Sequence, residues 1–247
     1  MKALAAAEWL KLRSTRMAPG MLLGLTALVL LVVALTVASL NARLLARPLG
    51  ELNFYLLASM AIVLFAFILG IRAFTDEFRY GTVTTSVLVT PRRGRLVAAK
   101  ILTFAIGGVV LTVVAEAAMV GAAIPMSSAK GVDLSLSTGD LRALGGLVLA
   151  AGLWAVIGVG LGAVVRHQVA AVVGGLVWLL VVENFATTVV PGLAPFFPGR
   201  AATALAQVSG QDLLAPWPGG LVLAAYALIG AGAGWIAFRR GDVGARL

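Results

Sequence analysis

Cysteine is absent from the 247-residue sequence, and histidine occurs once, at His167. The first absence excludes disulfide bonds and thiolate metal sites, and the second disfavours a metal site built from histidines. The sequence also lacks the G-x-x-x-x-G-K motif, followed by serine or threonine, that binds nucleotide phosphates in P-loop ATPases. Charged residues are scarce as well, at 12% of the chain, where a soluble domain carries about 25%. The chain therefore has little of what a soluble metalloenzyme or nucleotide hydrolase requires.

Apolar residues dominate instead: 61% of the sequence is hydrophobic, and the mean hydropathy is +1.03. A water-soluble fold of this length could not bury that much apolar surface, so lipid has to be the solvent for most of it. Six apolar runs each approach the ~20 residues that cross a bilayer core as a helix. None alternates in segments of about ten residues, as the strands of a membrane barrel do. The sequence predicts a single all-α membrane domain with about six transmembrane helices, at Met21–Leu40, Leu52–Ile71, Ile101–Ile124, Ala143–Val165, Val169–Val190 and Pro218–Phe238.

The basic residues indicate how this domain is oriented. The net charge is +9, and nucleic-acid binding would require the basic residues to cluster on a folded polar face. They lie instead between the apolar runs, which is typical of cytoplasmic loops. With the N-terminus inside, fourteen of the 19 lysines and arginines lie on the cytoplasmic side. We therefore expect both termini in the cytoplasm, a multi-pass location in the plasma (inner) membrane, and no nucleic-acid partner.

The first 17 residues do not have the pattern of a cleaved signal peptide. The apolar run that follows them is longer than the about 7–15 residues of a secretory signal, so we predict a retained membrane anchor. On a helical wheel, residues 1–17 carry a charge-free stripe that excludes Trp9 and Leu12. This pattern favours a helix along the inner membrane interface, with a frayed tail as the alternative. The stripe consists of Ala3, Ala6, Ala7, Leu10, Ser14 and Met17.

The segment 72–100 is a large polar island between two predicted spans, so a cytoplasmic partner would bind there. Gly81 can release the chain from the preceding helix, and Thr82 can cap a new helix by accepting a backbone hydrogen bond. About two helical turns follow up to Val89, and they end before Pro91, which biases its predecessor away from helix. A short helix flanked by charges has the features of a docking element. An ordinary positively charged cytoplasmic loop is the alternative.

Polar features also lie in and beside the outer halves of the predicted spans. The proline-bearing segment 191–217 is predicted to hold short re-entrant or interfacial helices, since unpaired backbone cannot face lipid. Glu116 and Glu183, the latter next to Asn184, lie within spans, where a charged residue costs about 2.5–3.5 kcal/mol. Each is expected to face protein or water, either on a substrate pathway or as a protonated group bonded to a neighbouring helix. No nucleophile or metal cluster accompanies them, so a membrane-embedded hydrolase is disfavoured.

Three stretches of the sequence carry a family resemblance. The inner loop contains Glu77-x-Arg79-x-Gly81-Thr82, followed by Leu88, Pro91, Arg95 and Lys100. The N-terminal segment contains Glu8-Trp9-Leu10-Lys11-Leu12-Arg13-Ser14, and Pro195-Phe196-Phe197-Pro198-Gly199-Arg200-Ala201-Ala202 precedes the last predicted span. In their order and over essentially the whole chain, these stretches resemble the ABC-2 type exporter permeases, the membrane subunits of ATP-binding cassette transporters.

The resemblance implies two permease chains, here a homodimer in the lipid bilayer, with two cytosolic ATP-binding cassette subunits. The short helix of the inner loop would couple ATP-driven closure of the ATPase dimer to the spans. The resemblance also implies that ATP and Mg²⁺ bind to the partner subunit, and that this chain binds no cofactor and is not catalytic by itself. Carried over by position, the residues that form or brace the ATPase junction are Asp76, Glu77, Arg79, Gly81, Thr82, Leu88, Pro91, Arg95 and Lys100.

Two other functions fit the same sequence. A proton-coupled secondary transporter could use Glu116 and Glu183 as proton sites and would need no ATPase. Such carriers often have broken spans at matching positions of two halves, and this sequence shows no convincing internal repeat. A non-transporting immunity or assembly factor could use the fold as a scaffold. A stoichiometric ATPase partner would separate the exporter from the first rival, and flux in vesicles would separate it from the second.

Overall fold

A computed structural model describes residues 2–39, 53–90, 92–132, 134–208 and 213–240. Within these ranges the chain is helical and forms no strand. Six of its helices are long and apolar enough to cross a membrane. The prediction of an all-α protein with six helices of transmembrane length is confirmed.

The described residues of the N-terminal half form five helices, and its three long helices each extend beyond the predicted apolar run. They are α1 (Lys2–Ser14), α2 (Met17–Ser39), α3 (Asn53–Arg79), α4 (Val83–Val89) and α5 (Arg93–Ser128). The segment 72–100 is therefore mostly helical, as the polar end of α3 and the polar start of α5, with α4 between them. An ion pair of Arg72 with Asp76, one turn apart at 2.6 Å, supports the polar extension of α3.

The part of the C-terminal half that the structure describes has two long uninterrupted helices and several shorter pieces. Its α-helices are α6 (Thr138–Val165), α7 (Gln168–Val177), α8 (Glu183–Val189), α9 (Pro198–Leu205) and α10 (Pro216–Arg240). A π-helical turn, Trp178–Val182, joins α7 to α8, so the fifth apolar span is one irregular helix. The segment 191–217 holds a 3-10 helix, Pro191–Phe196, followed by α9. Short helices thus occupy the segment in which the sequence predicts them.

Helices α3, α5 and α6 are the best buried spans of the bundle. Between 50% and 56% of their apolar windows is buried, against 17% to 22% for α2, α7–α8 and α10. Glycines allow the closest approaches, since Gly158 of α6 lies against the backbone of Phe67 on α3, and Gly160 lies against Gly230 of α10. A Cβ atom at Gly158 or Gly160 would overlap that backbone, so these contacts require glycine.

Helix α1 packs on the bundle through one face. Glu8 is buried there, and Ala5 and Leu12 beside it are partly buried. The charge-free stripe of the sequence lies on the opposite face, and each of its six residues is exposed. This arrangement leaves an uncharged face of α1 available to lipid.

Candidate functional site

Two glutamates and two lysines meet where α1, α3 and α5 converge, and we call them the charged cluster: Glu8, Lys11, Glu77 and Lys100. Lys100 Nζ lies 2.8 Å from Glu8 Oε2 and 2.9 Å from Glu77 Oε1. Lys11 Nζ lies 2.9 Å from Glu8 Oε1 and 3.0 Å from Glu77 Oε1. Each lysine bridges both glutamates, so the cluster ties α1 to α3 and α5 with a formal charge of zero.

Three of the four members are almost completely shielded from solvent. Lys100 is 1% exposed, Glu8 4% and Glu77 6%. Burying such charges is costly unless they are paired and hydrogen-bonded. Lys100 satisfies this condition, since it also donates to the Ala73 carbonyl oxygen at 2.9 Å. Removal of any one member would therefore leave an uncompensated charge where α1, α3 and α5 converge.

The charged cluster holds one side of the short helix α4. Ser86 Oγ donates to Glu77 Oε1 at 3.1 Å and accepts from Lys11 Nζ at 3.4 Å. Val83 is buried in the adjoining hydrophobic core. Gly81, with φ +68°, makes the left-handed turn between α3 and α4, a backbone conformation that favours glycine. The position of α4 thus depends on contacts with α1 as well as with α3.

The predicted capping role of Thr82 is wrong. Its side chain makes no capping hydrogen bond, and its backbone is already helical, with φ −83° and ψ −5°. An N-cap residue normally has extended backbone so that its side chain can reach the free amides. The Thr82 N–H instead donates to the Glu77 carbonyl oxygen at 3.0 Å, which closes the turn after α3.

The other side of α4 presents apolar side chains away from the protein. Leu88 is 74% exposed and Val89 77% exposed, and we call this pair the α4 patch. It lies outside the six apolar spans, between the polar end of α3 and the exposed Arg92. The α4 patch is therefore a candidate contact surface.

Within the charged cluster, the pKa values of the two α1 residues move in opposite directions. Burial raises the pKa of Glu8, but the ammonium groups of Lys100 and Lys11 outweigh it and hold this pKa below its ordinary value. Burial lowers the pKa of Lys11, but its bonds to Glu8 and Glu77 outweigh it and raise this pKa. Both shifts favour the charged forms of these two residues.

Two further residues predicted for the ATPase junction have partners near the cluster. Asp76 accepts from Arg72 on the same helix. Arg79 donates to Gln168 Oε1 at 3.3 Å, at the first residue of α7. The structure therefore unites Glu77 with the charged cluster and leaves Asp76 and Arg79 in separate local contacts.

The first turn of α5 faces the end of α10. Arg95 is exposed there, and Pro91, just before it, lies outside the described residues. Arg93 and Arg166 donate to the last carbonyl groups of α10, which have no acceptor role inside that helix. The acceptors are Phe238 and Arg239 for Arg93, at 3.3 Å each, and Ala237 for Arg166, at 2.9 Å. The loop that carries α4 is thus also fastened to the last span.

Sequence reasoning did not assign Glu8, Lys11 or Ser86 to this site. A signal for Glu8 was present, because it lies opposite the uncharged stripe of α1 and three residues before Lys11. A glutamate on the inward face of a helix requires a partner of opposite charge. That partner, Lys100, is 92 positions away. Helical periodicity relates residues on neighbouring turns of one helix, so it could not identify Lys100 as the partner.

Glu183, the second predicted pathway carboxylate, faces protein. Its Oε1 accepts from the backbone N–H of Gly199 at 2.7 Å and of Arg200 at 3.2 Å. These amides belong to the first turn of α9, where free N–H groups favour a carboxylate. Glu183 therefore anchors the start of α9 to the fifth span, which supports the structural alternative for this residue.

A cavity of about 340 Å³ lies beside Glu183, between α3, α8 and α9. Its α3 wall is mostly apolar, with Leu56, Met60 and Val63 beside Ser59, and its opposite wall carries the polar residues Glu183, Asn184, Thr187 and Thr203. The Asn184 amide donates to the carbonyl oxygens of Leu179 and Leu180, which the π-helical turn leaves accessible. The cavity thus combines an apolar and a polar wall at an irregular helix.

Glu116 lies in α5 and is 6% exposed. Its Oε1 atom has no hydrogen-bond partner among the described residues. The same ranges contain no group of three histidine, aspartate or glutamate residues placed to hold a metal ion. A buried carboxylate oxygen without a partner is costly, which marks Glu116 as a functional candidate within the bundle.

Comparison of the chain with protein-family models and with curated proteins finds no match in either set.

Proposed function

We propose that this chain is the membrane-spanning permease subunit of an ATP-driven exporter, and that a separate cytosolic cassette ATPase docks on the α4 patch. The observation that carries the proposal is the two-sided nature of α4. One side is held by Ser86 and Val83 against the charged cluster and the core, and the other exposes Leu88 and Val89. A helix that is fixed on one side and apolar on the other is suited to transmit a partner's motion into α3 and α5.

The energetics of α4 support a docking role. With seven residues it is too short to be stable alone, since isolated helices below about 12–15 residues are marginal in water. Buried ion pairs hold α4 in place, although such pairs contribute little net stability by themselves. Such an arrangement is useful where orientation matters, and charges around the docking helix would steer the partner.

The proposal includes a second copy of the chain in a homodimer. A dimeric ATPase presents two equivalent docking sites, and the described residues supply one helix with the features of α4. The weakly buried spans α2, α7–α8 and α10 leave apolar faces for the second copy and for lipid. ATP and Mg²⁺ would bind to the ATPase, and export would proceed past the cavity at Asn184 and past Glu116 in the plasma membrane.

Co-purification with the ATPase subunit tests this proposal. Leu88→Glu should abolish copurification and ATP-driven flux in reconstituted vesicles, because it places a charge in the centre of an apolar contact. Leu136→Glu, at an exposed position in the segment before α6, is the matched control and should leave both unchanged. Normal docking, hydrolysis and flux in the Leu88→Glu variant would reduce the α4 loop to an ordinary connection.

For the proton-coupled alternative, Glu116 is the stronger candidate. Glu183 accepts from two amides of α9, whereas one oxygen of Glu116 has no partner among the described residues. Flux driven by a proton gradient in vesicles that contain this chain alone, lost in Glu116→Gln, would establish the alternative and overturn the exporter proposal.

A further inference from the structure

A crevice of about 330 Å³ lies behind the elbow between α1 and α2. We propose that it binds one anionic phospholipid of the leaflet in which α1 lies, with an acyl chain in the crevice and the phosphate at Arg13. The lining residues come from four helices and are Trp9, Leu12, Arg13, Ala18, Pro19, Leu22, Leu69, Gly107, Val110 and Leu111.

The composition of the crevice matches an acyl chain. Arg13 is the single charged residue in its lining, and most of the remaining side chains are aliphatic. The α5 wall includes Gly107, against which Leu12 and Leu69 pack closely, since an added Cβ would come within 3.2 Å of Leu12 and 3.3 Å of Leu69. A water-filled crevice with these walls would be unfavourable, so an apolar occupant is expected.

The charge at the elbow selects an anionic headgroup. Arg13 lines the crevice, and Arg16 follows at the break between α1 and α2; both are exposed. Neither arginine has a carboxylate partner among the described residues, because the nearby Glu8 is engaged by Lys11 and Lys100. Unpaired arginines beside apolar surface at a membrane interface attract acidic lipid phosphates.

The two features together distinguish a phospholipid from simpler occupants. Free phosphate would use the arginines and leave the apolar walls uncovered, while a neutral acyl chain would leave the cations unmatched. A phospholipid satisfies both at once, and Trp9 at the crevice is the residue type enriched at the headgroup level of membranes. Binding there would brace the elbow that positions α1, and it does not depend on the proposed transport function.

Native mass spectrometry of the full-length, delipidated chain in detergent tests the proposal, with phosphatidylglycerol and phosphatidylcholine of identical acyl chains as probes. One phosphatidylglycerol should be retained in preference to phosphatidylcholine. Arg13→Gln and Arg16→Gln should each weaken it about fivefold, as expected for one arginine near an acidic headgroup. Arg13→Lys, which keeps the charge, should bind nearly as the parent does, and Ala18→Phe should block the crevice.

Arg142→Gln, which removes an exposed charge at the start of α6, is the matched control and should bind as the parent does. Equal retention of the two lipids, or phosphatidylglycerol binding unchanged in both Arg13→Gln and Ala18→Phe, would overturn the proposal. The proposal would also be overturned if inorganic phosphate alone raised the melting temperature of the chain as much as the lipid does. ATPase docking enters none of these measurements, so failure here is separate from failure of the exporter proposal.

Discussion

Replacement of Lys100 by methionine is the sharpest test of the charged cluster. Methionine keeps an unbranched side chain of similar length and removes only the ammonium group, so packing at this fully buried position changes little. Three polar contacts are lost, those to Glu8 at 2.8 Å, to Glu77 at 2.9 Å and to the Ala73 carbonyl at 2.9 Å, together with the position of the ammonium over the Phe74 ring. Among the described residues, Lys11 is then the cation left to pair with the two buried carboxylates.

The expected loss of stability follows from that imbalance. Removal of one partner from a buried ion pair costs about 3–5 kcal/mol, because the other charge stays buried without compensation. In domains of 150–250 residues, a loss of this size lowers the melting temperature by about 6–20 °C. Lys11→Met should cost less, about 1 kcal/mol, because the Lys11 side chain is 52% exposed and solvent screens its contacts. Lys2→Met, on the exposed side of α1, should change stability by less than about 0.5 kcal/mol.

Two readouts separate the ion-pair effect from general damage. Denaturant titration in mixed micelles measures the loss. Maleimide labelling of Val83→Cys reports whether α4 stays attached, since Val83 is buried while α4 is docked and the parent chain contains no cysteine. A variant with Glu8→Gln, Glu77→Gln and Lys100→Met together carries no uncompensated buried charge. It should recover part of the lost stability rather than add further losses.

The reasoning would be refuted by a Lys100→Met variant within about 0.5 kcal/mol of the parent. It would also be refuted if the triple variant lost at least as much as the sum of the single changes, since neutralisation would then bring no compensation.

Four other outcomes follow from the structure. The stability that Glu8 contributes is present above its ordinary pKa near 4.5 and is lost as the pH falls through its lowered folded pKa. The melting temperature should therefore fall more steeply with decreasing pH below about 4.5, and Glu8→Gln should make this fall shallower. Single cysteines should be labelled from the cytoplasm at Thr85 and from outside at Ser135, and the reverse pattern would remove the basis for a cytosolic partner. Glu116→Gln should alter substrate-stimulated ATPase activity or export while the complex still assembles, and unchanged transport would assign Glu116 a structural role. Glu183→Ala should cost about 1–3 kcal/mol and increase proteolysis of the segment 191–217, because two amides of α9 lose their acceptor.

Local patterns in the sequence were sufficient for the helices. A run of about twenty apolar residues has few structures available in lipid, so the six long helices could be predicted from composition and length alone. The left-handed turn at Gly81 and the helix after it also depend on neighbours in the sequence. The uncharged stripe of residues 1–17 is exposed, and its location at the membrane interface stays a prediction.

The cap at Thr82 shows where a local rule failed. Threonine before an apolar stretch favours an N-cap, but the turn after α3 takes the Thr82 amide to the Glu77 carbonyl and leaves its backbone helical. Tertiary contacts of Val83 and Ser86 then position α4 without a cap. The start of α4 needs no side-chain cap because these contacts hold it in place.

Helix type, length and the exposed stripe are properties of neighbouring residues, and the sequence by itself determined them. The pairing of charges is not a property of neighbouring residues. Lys100 contacts Glu8 across 92 positions, and Glu183 contacts Gly199 only because α9 packs against the fifth span. A buried charge requires a partner, but its identity depends on which helices pack together. The glycine contacts between α3, α6 and α10 and the packing of α1 decide that arrangement. The tertiary structure therefore decided which ionisable residues join α1 to α3 and α5, which one anchors α9, and which apolar pair of α4 stays exposed.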